Sequence, residues 1–276
     1  MKRSTPARAL GALVALTALT AAPTLAQAQT WTIGEDRGRD PYESAQNFAF
    51  EARFSPWQPD VDSEFGGRAR PFYDYFGYVD ADGTKRVRDR LLGGLEVDWQ
   101  ALRLGSVASL GLGFGASYSQ FGTAAPVTAT GQASGQESTL HLLPVHGVVV
   151  ARLDVLARRT VVPLVVYGKA GVVVTHWWMM LGEDFSRRNP GSPTVTTNNT
   201  GDYGQSARGF SYGWMFAAGA MLRLDFLEPR AQRSWDLEMG VNHSYLFAEY
   251  MVITDWSRPQ LHVGSDAWVF GLAFEM

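Results

Sequence analysis

Phe210-Ser211-Tyr212-Gly213-Trp214-Met215-Phe216-Ala217-Ala218-Gly219-Ala220-Met221-Leu222-Arg223-Leu224-Asp225 alternates without a break. Phe210, Tyr212, Trp214, Phe216, Ala218, Ala220, Leu222 and Leu224 share one face, and the small or polar residues share the other. Successive side chains of a strand point to opposite sides, so the stretch reads as a β-strand with two chemically different faces.

The same period governs the chain from residue 45 onward. Trp235 to Phe247 sets Trp235, Leu237, Met239, Val241, Tyr245 and Phe247 against Asp236, Glu238, Gly240, Asn242 and Ser244, with His243 interrupting the apolar face. Phe48, Phe50, Ala52 and Phe54 oppose Glu51 and Arg53, and Leu91, Gly93, Leu95, Val97 and Trp99 oppose Glu96 and Asp98. Leu110, Leu112, Phe114, Ala116 and Tyr118 oppose a face of Gly and Ser. Leu164, Val166, Ala170, Val172 and Val174 oppose Lys169 and Thr175. Thr139 to Leu153 is the least regular, and its facing stays open. The last strand aligns Trp268, Phe270, Leu272, Phe274 and Met276. Connections alternate: 56–84, 120–137, 178–208 and 251–264 are the longer ones, while 100–106, 154–161 and 226–233 are short.

Alternation alone does not say which face is wet, since a soluble sandwich shows the same period. Three features turn the apolar face outward. The opposite face is crowded with Gly, Ala and Ser, as in Gly111, Gly113, Gly115, Ser117 and Ser119, which suits a tight lumen. Tyr118, Trp178, Tyr212, Tyr245 and Trp268 at one boundary, and Trp99, Trp235 and Phe274 at the other, resemble interfacial girdles. Charges within strands fall on the inward face with both signs: Glu51, Arg53, Glu96, Asp98, Lys169, Arg223, Asp225, Asp236 and Glu238. The expected fold is all-β, an eight-stranded antiparallel up-and-down transmembrane β-barrel over residues 45–276.

The N-terminus reads as an export signal over residues 1–28. Lys2, Arg3 and Arg8 supply the positive region, Ala9 to Ala21 the apolar run, and Ala26-Gln27-Ala28 the cleavage site. Residues 29–44 are then a periplasmic N-terminal segment. Removing the signal takes three basic residues from a chain already at −3, which argues against a nucleic-acid partner. With no cysteine, neither a disulfide nor a lipid anchor is available, and stability has to come from a closed fold. No later run is long and apolar enough for a spanning helix, so a spanning structure has to be a closed barrel.

Several local motifs carry a resemblance: Asp60-Val61-Asp62-Ser63-Glu64-Phe65, Phe72-Tyr73-Asp74-Tyr75-Phe76-Gly77, Tyr167-Gly168-Lys169-Ala170-Gly171, Leu224-Asp225-Phe226-Leu227-Glu228-Pro229, Asp236 through Glu249, and Trp268 through Met276. Together they resemble a poorly characterised family of myxobacterial outer-membrane β-barrel proteins, over nearly all of the mature chain. The resemblance implies the barrel fold and the cell outer membrane, and it brings no catalytic residue. Barrels of this class usually end in Phe or Trp, whereas this chain ends in Met276 with Phe274 in register.

Candidate sites are few. His243 and Ser244 suggest a lipid-modifying dyad, but adjacent strand residues face opposite sides, so no catalytic residue is expected. His141, His146 and His176 lack metal-ligand spacing, and no metal or cofactor is expected. Asp60, Asp62 and Glu64, or Asp80 and Asp82, offer oxygen ligands without matching a full calcium loop. The Phe72 to Phe76 cluster is expected to fold over the barrel mouth. The charged lumen reads as a salt-bridged plug, with a narrow path for water or ions as the alternative. The expected role is structural or interactive, through loops 56–84 and 178–208. A narrow channel and a lipid-modifying enzyme are the other readings. Expected partners are outer-membrane lipid and lipopolysaccharide, the barrel assembly machinery, and an unidentified envelope or extracellular protein.

Overall fold

A computed structural model describes residues 31–33, 47–104, 107–126, 133–155, 163–183, 206–224, 241–256 and 261–276. In chain order come β1 (Trp31–Ile33), β2 (Phe48–Trp57), a 3-10 turn (Asp62–Phe65), α1 (Pro71–Phe76), β3 (Tyr78–Val79) and β4 (Lys85–Arg86). Then follow β5 (Arg90–Leu104), β6 (Ala108–Pro126), β7 (Ala133–Leu153), β8 (Leu164–Glu183), β9 (Ser206–Arg223), β10 (His243–Asp255) and β11 (Ser265–Glu275).

Eight of these strands close a barrel. The neighbour order is β5-β2-β11-β10-β9-β8-β7-β6, and β6 returns to β5. All eight pairings are antiparallel. Closure leaves no barrel strand with an unpaired edge along the spanning zone, which is what a β-structure in lipid requires. We call the end bearing Phe48 and Glu275 the terminal end, and the opposite end the loop end. At the terminal end β1 adds in parallel to β5, through Trp31↔Leu102, Thr32↔Arg103 and Ile33↔Leu104. Thus part of the expected N-terminal segment 29–44 joins the sheet just below β2. The expected signal, residues 1–28, lies outside the described residues.

The barrel is inverted relative to a soluble protein. Outward residues are large and apolar: Leu91 and Phe114 are each 66% exposed, and Trp214, Phe216, Leu246 and Phe270 about half. Inward residues include fully buried carboxylates. Water would penalise that arrangement on both faces, whereas a hydrocarbon surround accommodates it. No helix among the described residues is long and apolar enough to cross a membrane, so spanning falls to the strands.

Facing agrees with the sequence pattern on β2, β5, β6, β8, β9 and β11, and β7 resolves with Leu142, His146, Val148, Val150 and Arg152 inward. The strand read as Trp235 to Phe247 is corrected. The regular strand begins at His243 and runs to Asp255, with Tyr245, Phe247, Glu249 and Met251 inward and Leu246 and Tyr250 outward. Asn242 and His243 are both buried in succession, so the alternation changes phase there. Pairing fixes the new phase: His243 sits opposite Glu275 and Tyr245 opposite Arg223. Tyr245 therefore belongs to the lumen near the terminal end and not to an outer girdle. Trp235 lies outside the described residues.

Loop lengths are also corrected. β6 continues to Pro126 and β7 begins at Ala133, inside the expected loop 120–137. β8 reaches Glu183 and β9 starts at Ser206, inside 178–208. These strands exceed the roughly 9–11 residues needed to span, so β6 to β9 form a tall wall beyond the membrane zone. Beyond the membrane zone the inner face can be apolar, as at the buried Phe121 and Leu140, which breaks the apolar-out alternation that marks a spanning strand.

A closed barrel predicts two outcomes. Residues 29–276 refolded in detergent will migrate differently in electrophoresis before and after boiling, and a soluble fold obtained without detergent would overturn the assignment. Phe216→Arg, mid-strand and outward, will lower stability in lipid vesicles by about 2–4 kcal/mol in denaturant titrations. An unchanged midpoint would place that face outside hydrocarbon.

Candidate functional site

Part of the lumen is filled by one ionic cluster built from six strands. Lys169 stands on the inward face of β8 with its side chain fully excluded from solvent. Its ammonium donates to Glu51 Oε2 on β2 and Glu96 Oε1 on β5, both at 2.6 Å, and lies 3.7 Å from Glu249 Oε2 on β10. Arg53, two residues beyond Glu51 on the same face, pairs with Glu96 and Glu249. Arg152 on β7 holds Asp98 at 2.5 Å, Glu275 at 3.0 Å and Glu51 at 3.4 Å. Neutral donors complete the acceptors: Tyr167 reaches Glu249 and Tyr245 reaches Glu275, both at 2.8 Å, and Gln100 donates to Glu275 at 2.9 Å. Arg103 donates to Gln100 at 2.7 Å. His146 Nε2 lies 2.7 Å from Glu96. Buried charges survive only when paired and hydrogen-bonded, and here each carboxylate meets at least one cation.

Space for this cluster comes from β6. A Cβ at Gly115 would lie 2.5 Å from His146 Nε2, and one at Gly113 would collide with Asp98 and Val148. The glycine face that suggested a narrow lumen is therefore occupied by long side chains from neighbouring strands.

Above the ions, toward the loop end, the lumen turns apolar. Met215, Met251, Val173, Val269 and Leu142 are buried there. The cavity between the two layers, bounded by Arg53, His146 and Ser55 among others, is about 10 Å³, room for a single water. At the mouth Phe72 of α1 packs against Phe76 at 4.9 Å and edge-to-face on Phe121 at 5.3 Å, and Trp57 lies 6.2 Å from Phe121. Asp62 secures this cap by accepting the backbone N–H groups of Phe72 at 2.7 Å and Tyr73 at 2.9 Å. Tyr75 ties it to β7 by donating to Ser138 at 2.9 Å. The expected fold of Phe72 to Phe76 over the mouth is what is seen.

Of the nine charges expected in the lumen, the structure brings Glu51, Arg53, Glu96, Asp98 and Lys169 together. Arg223 is placed apart, near the terminal end, donating to His243 Nε2 at 2.6 Å. Asp225, Asp236 and Glu238 lie outside the described residues. Sequence reasoning missed Arg152, Glu249, Glu275 and His146. Glu275 shares its face with Ala273 and Gly271, opposite Phe274, so strict alternation carried that signal. Arg152 and His146 sat in the irregular stretch, and Glu249 was hidden by the phase change at Asn242.

The other candidates resolve into structural tasks. Asp80 and Asp82 pair with Arg86, and Asp60 accepts from Ser63 N–H at 3.3 Å. Glu51, Glu96 and Asp98 bring oxygens within 4.8 Å of one another, yet Lys169, Arg53 and Arg152 already lie between them. His243 is buried and Ser244 belongs to the opposite face, so the two form no dyad. His141 and His176 face outward on either side of Trp178, with ring centroids 4.9 and 5.2 Å away, and Tyr118 and Phe210 extend the row. These rings form a girdle across β6 to β9, the interfacial position that amphipathic rings favour.

No protein-family model matches the chain, and no curated protein matches it. Solved structures do. The attachment invasion locus protein Ail of Yersinia pestis, in complex with the heparin analogue sucrose octasulfate, is 11% identical, with 85% of this chain and 99% of that one covered and a TM-score of 0.41. The outer membrane protein OprG from Pseudomonas aeruginosa is 13% identical, covering 85% and 97%, with a TM-score of 0.40. Neisserial surface protein A is 10% identical, covering 84% and 100%, with a TM-score of 0.37.

Removing the central cation tests the cluster. Lys169→Met will cost about 3–5 kcal/mol in denaturant unfolding, because it strands buried carboxylates. Adding Glu96→Gln will recover part of that loss. Lys85→Met, which breaks an exposed 3.9 Å pair with Asp74 and a 2.8 Å hydrogen bond to its backbone carbonyl, will change stability by about 1 kcal/mol or less. Equal effects at the two lysines would sink the idea that the cluster holds the barrel.

Proposed function

We propose that the protein is exported to the outer membrane of a Gram-negative cell and acts there as a surface protein, with a structural or interactive role carried by its loop end. The observation that carries this reading is the closed lumen. Ion pairs fill the terminal half, apolar side chains fill the loop half, and the α1 aromatics cover the mouth. With the lumen filled along the described residues, the barrel works from its outside.

The terminal end then faces the periplasm and the tall wall of β6 to β9 faces outward, following the usual placement of short turns and long loops. Residues 1–28 act as the export signal. Membrane lipid and lipopolysaccharide surround the apolar belt, and the barrel assembly machinery inserts it. The resemblance to myxobacterial outer-membrane barrels belongs to the same proposal. A catalytic role draws no support from His243 and Ser244, which point to opposite faces.

Two measurements test this reading. Purified barrel in planar bilayers will give no steady conductance, whereas a stable open state would restore the channel reading. Replacing residues 66–88 and 184–205 by short turns will abolish cell-surface association while the boiled and unboiled forms still migrate differently. Unchanged surface behaviour in that variant would remove the interactive role.

A further inference from the structure

A seam in the wall opens at the loop end. β5 and β6 pair from Gly93↔Tyr118 downward. Above that point β5 continues to Arg90 against β2, and β6 continues to Pro126 against β7. The β3–β4 hairpin lies beside the gap. Between them is a cleft of about 220 Å³, lined by Arg88, Arg90, Tyr78, Phe76, Phe121 and Thr123. That volume is below the range for drug-sized ligands and suits a single charged headgroup.

Its two arginines flank Asp89 in the chain yet form no ion pair with it. Arg86 is held by Asp80 and Asp82, and Lys85 lies 3.9 Å from Asp74. Among the described residues, neither Arg88 nor Arg90 has a carboxylate within ion-pair distance. Arg88 is nevertheless positioned: its guanidinium lies 4.2 Å over the Tyr78 ring. Two guanidinium groups with free forks converge on one small cleft, and a phosphate accepts such forks bidentately. The location selects the source. Tyr118, at the top of the paired seam, belongs to the outward aromatic girdle and marks the membrane interface. Phe121 and Thr123 stand only three and five residues further along β6, on the order of 10–17 Å up the strand before tilt. The cleft therefore lies at headgroup height and opens sideways, where β5 and β6 part.

We propose that the Arg88–Arg90 cleft binds a phosphate group borne by a lipid headgroup of the outer leaflet. The inference rests on the outer-membrane reading and adds a site to it. Phosphate oxygens accept from both guanidinium groups, while Phe76, Phe121 and Tyr78 shield the pair on the barrel side. Arg86, already bound by two carboxylates, takes no part.

The test uses residues 29–276 refolded in neutral detergent. Phosphatidic acid, with its terminal phosphate, is titrated against phosphatidylcholine, and bound lipid is counted by native mass spectrometry. The expected result is one phosphatidic acid retained per chain in preference to phosphatidylcholine. Arg88→Gln with Arg90→Gln will weaken it at least tenfold, and Arg86→Gln will leave it unchanged. Equal retention by the double variant, or no preference for phosphatidic acid, overturns the site. Inorganic phosphate is the second arm. Weak competition at millimolar concentration supports a headgroup ligand, whereas phosphate binding as tightly as phosphatidic acid overturns the lipid source. No preference for phosphatidic acid in the parent protein, with intact heat-modifiability, would refute the cleft and leave the surface-protein reading standing.

Discussion

The structure depends on how an ammonium group is kept charged inside a tube surrounded by hydrocarbon. Lys169 has no water to solvate it, and stripping an ion of water costs several kcal/mol even after relaxation. Glu51 and Glu96 at 2.6 Å, with Glu249 behind them, replace that water. The same carboxylates hold Arg53, and Glu51 also meets Arg152. One cation's requirement thus draws β2, β5, β7, β8 and β10 inward, and Glu275 brings in β11. The remaining strands serve by shape. β6 contributes glycines that leave room, and β9 contributes Met215, Ala217 and Met221, which close the apolar side.

Filling the tube determines where the molecule can meet anything else. Charge is engaged inside, because each carboxylate of the buried cluster meets at least one cation. Outside, the apolar belt meets lipid acyl chains, which carry little chemical information. What remains is the loop end, where α1 packs over the mouth, the wall from β6 to β9 rises higher than its counterpart, and Arg88 and Arg90 form no ion pair among the described residues. The barrel is a rigid pedestal, and its distinctive chemistry lies on top.

Much of this was legible in the sequence because lipid and a narrow lumen impose opposite demands on alternate residues. Phe210 to Asp225 could be read directly, and so could Glu51 with Arg53 and Glu96 with Asp98. The reading failed where the alternation has a fault. Asn242 and His243 face inward in succession, so extrapolating from Trp235 turned Tyr245 and Phe247 the wrong way and concealed Glu249. It failed again where β6 to β9 leave the membrane, because there the inner face turns apolar, as at Phe121 and Leu140, and the apolar-out rule no longer holds. Partnership was not legible at all. Nothing local to Arg152 indicates that its carboxylates come from Glu51, Asp98 and Glu275, since strand order and stagger decide that. The seam at Arg88 and Arg90 has the same origin: it exists because β5 and β6 part company above Tyr118, a property of pairing and not of composition.

The long sequence separations within the ionic cluster bear on how the barrel forms. Arg53 and Glu249 are 196 residues apart, Gln100 and Glu275 are 175, and Lys169 and Glu51 are 118. Such contacts give the fold a high contact order, and loop-closure entropy is spent before they form. β7 and β8 carry Arg152 and Lys169 without acids of the cluster, and β10 and β11 carry Glu249 and Glu275 without its cations. The full set of ion pairs therefore forms only with the meeting of the first and last wall strands, β2 and β11. Until then the intermediate retains groups that hydrocarbon rejects, so circularisation and passage into the bilayer are coupled into one late, cooperative event.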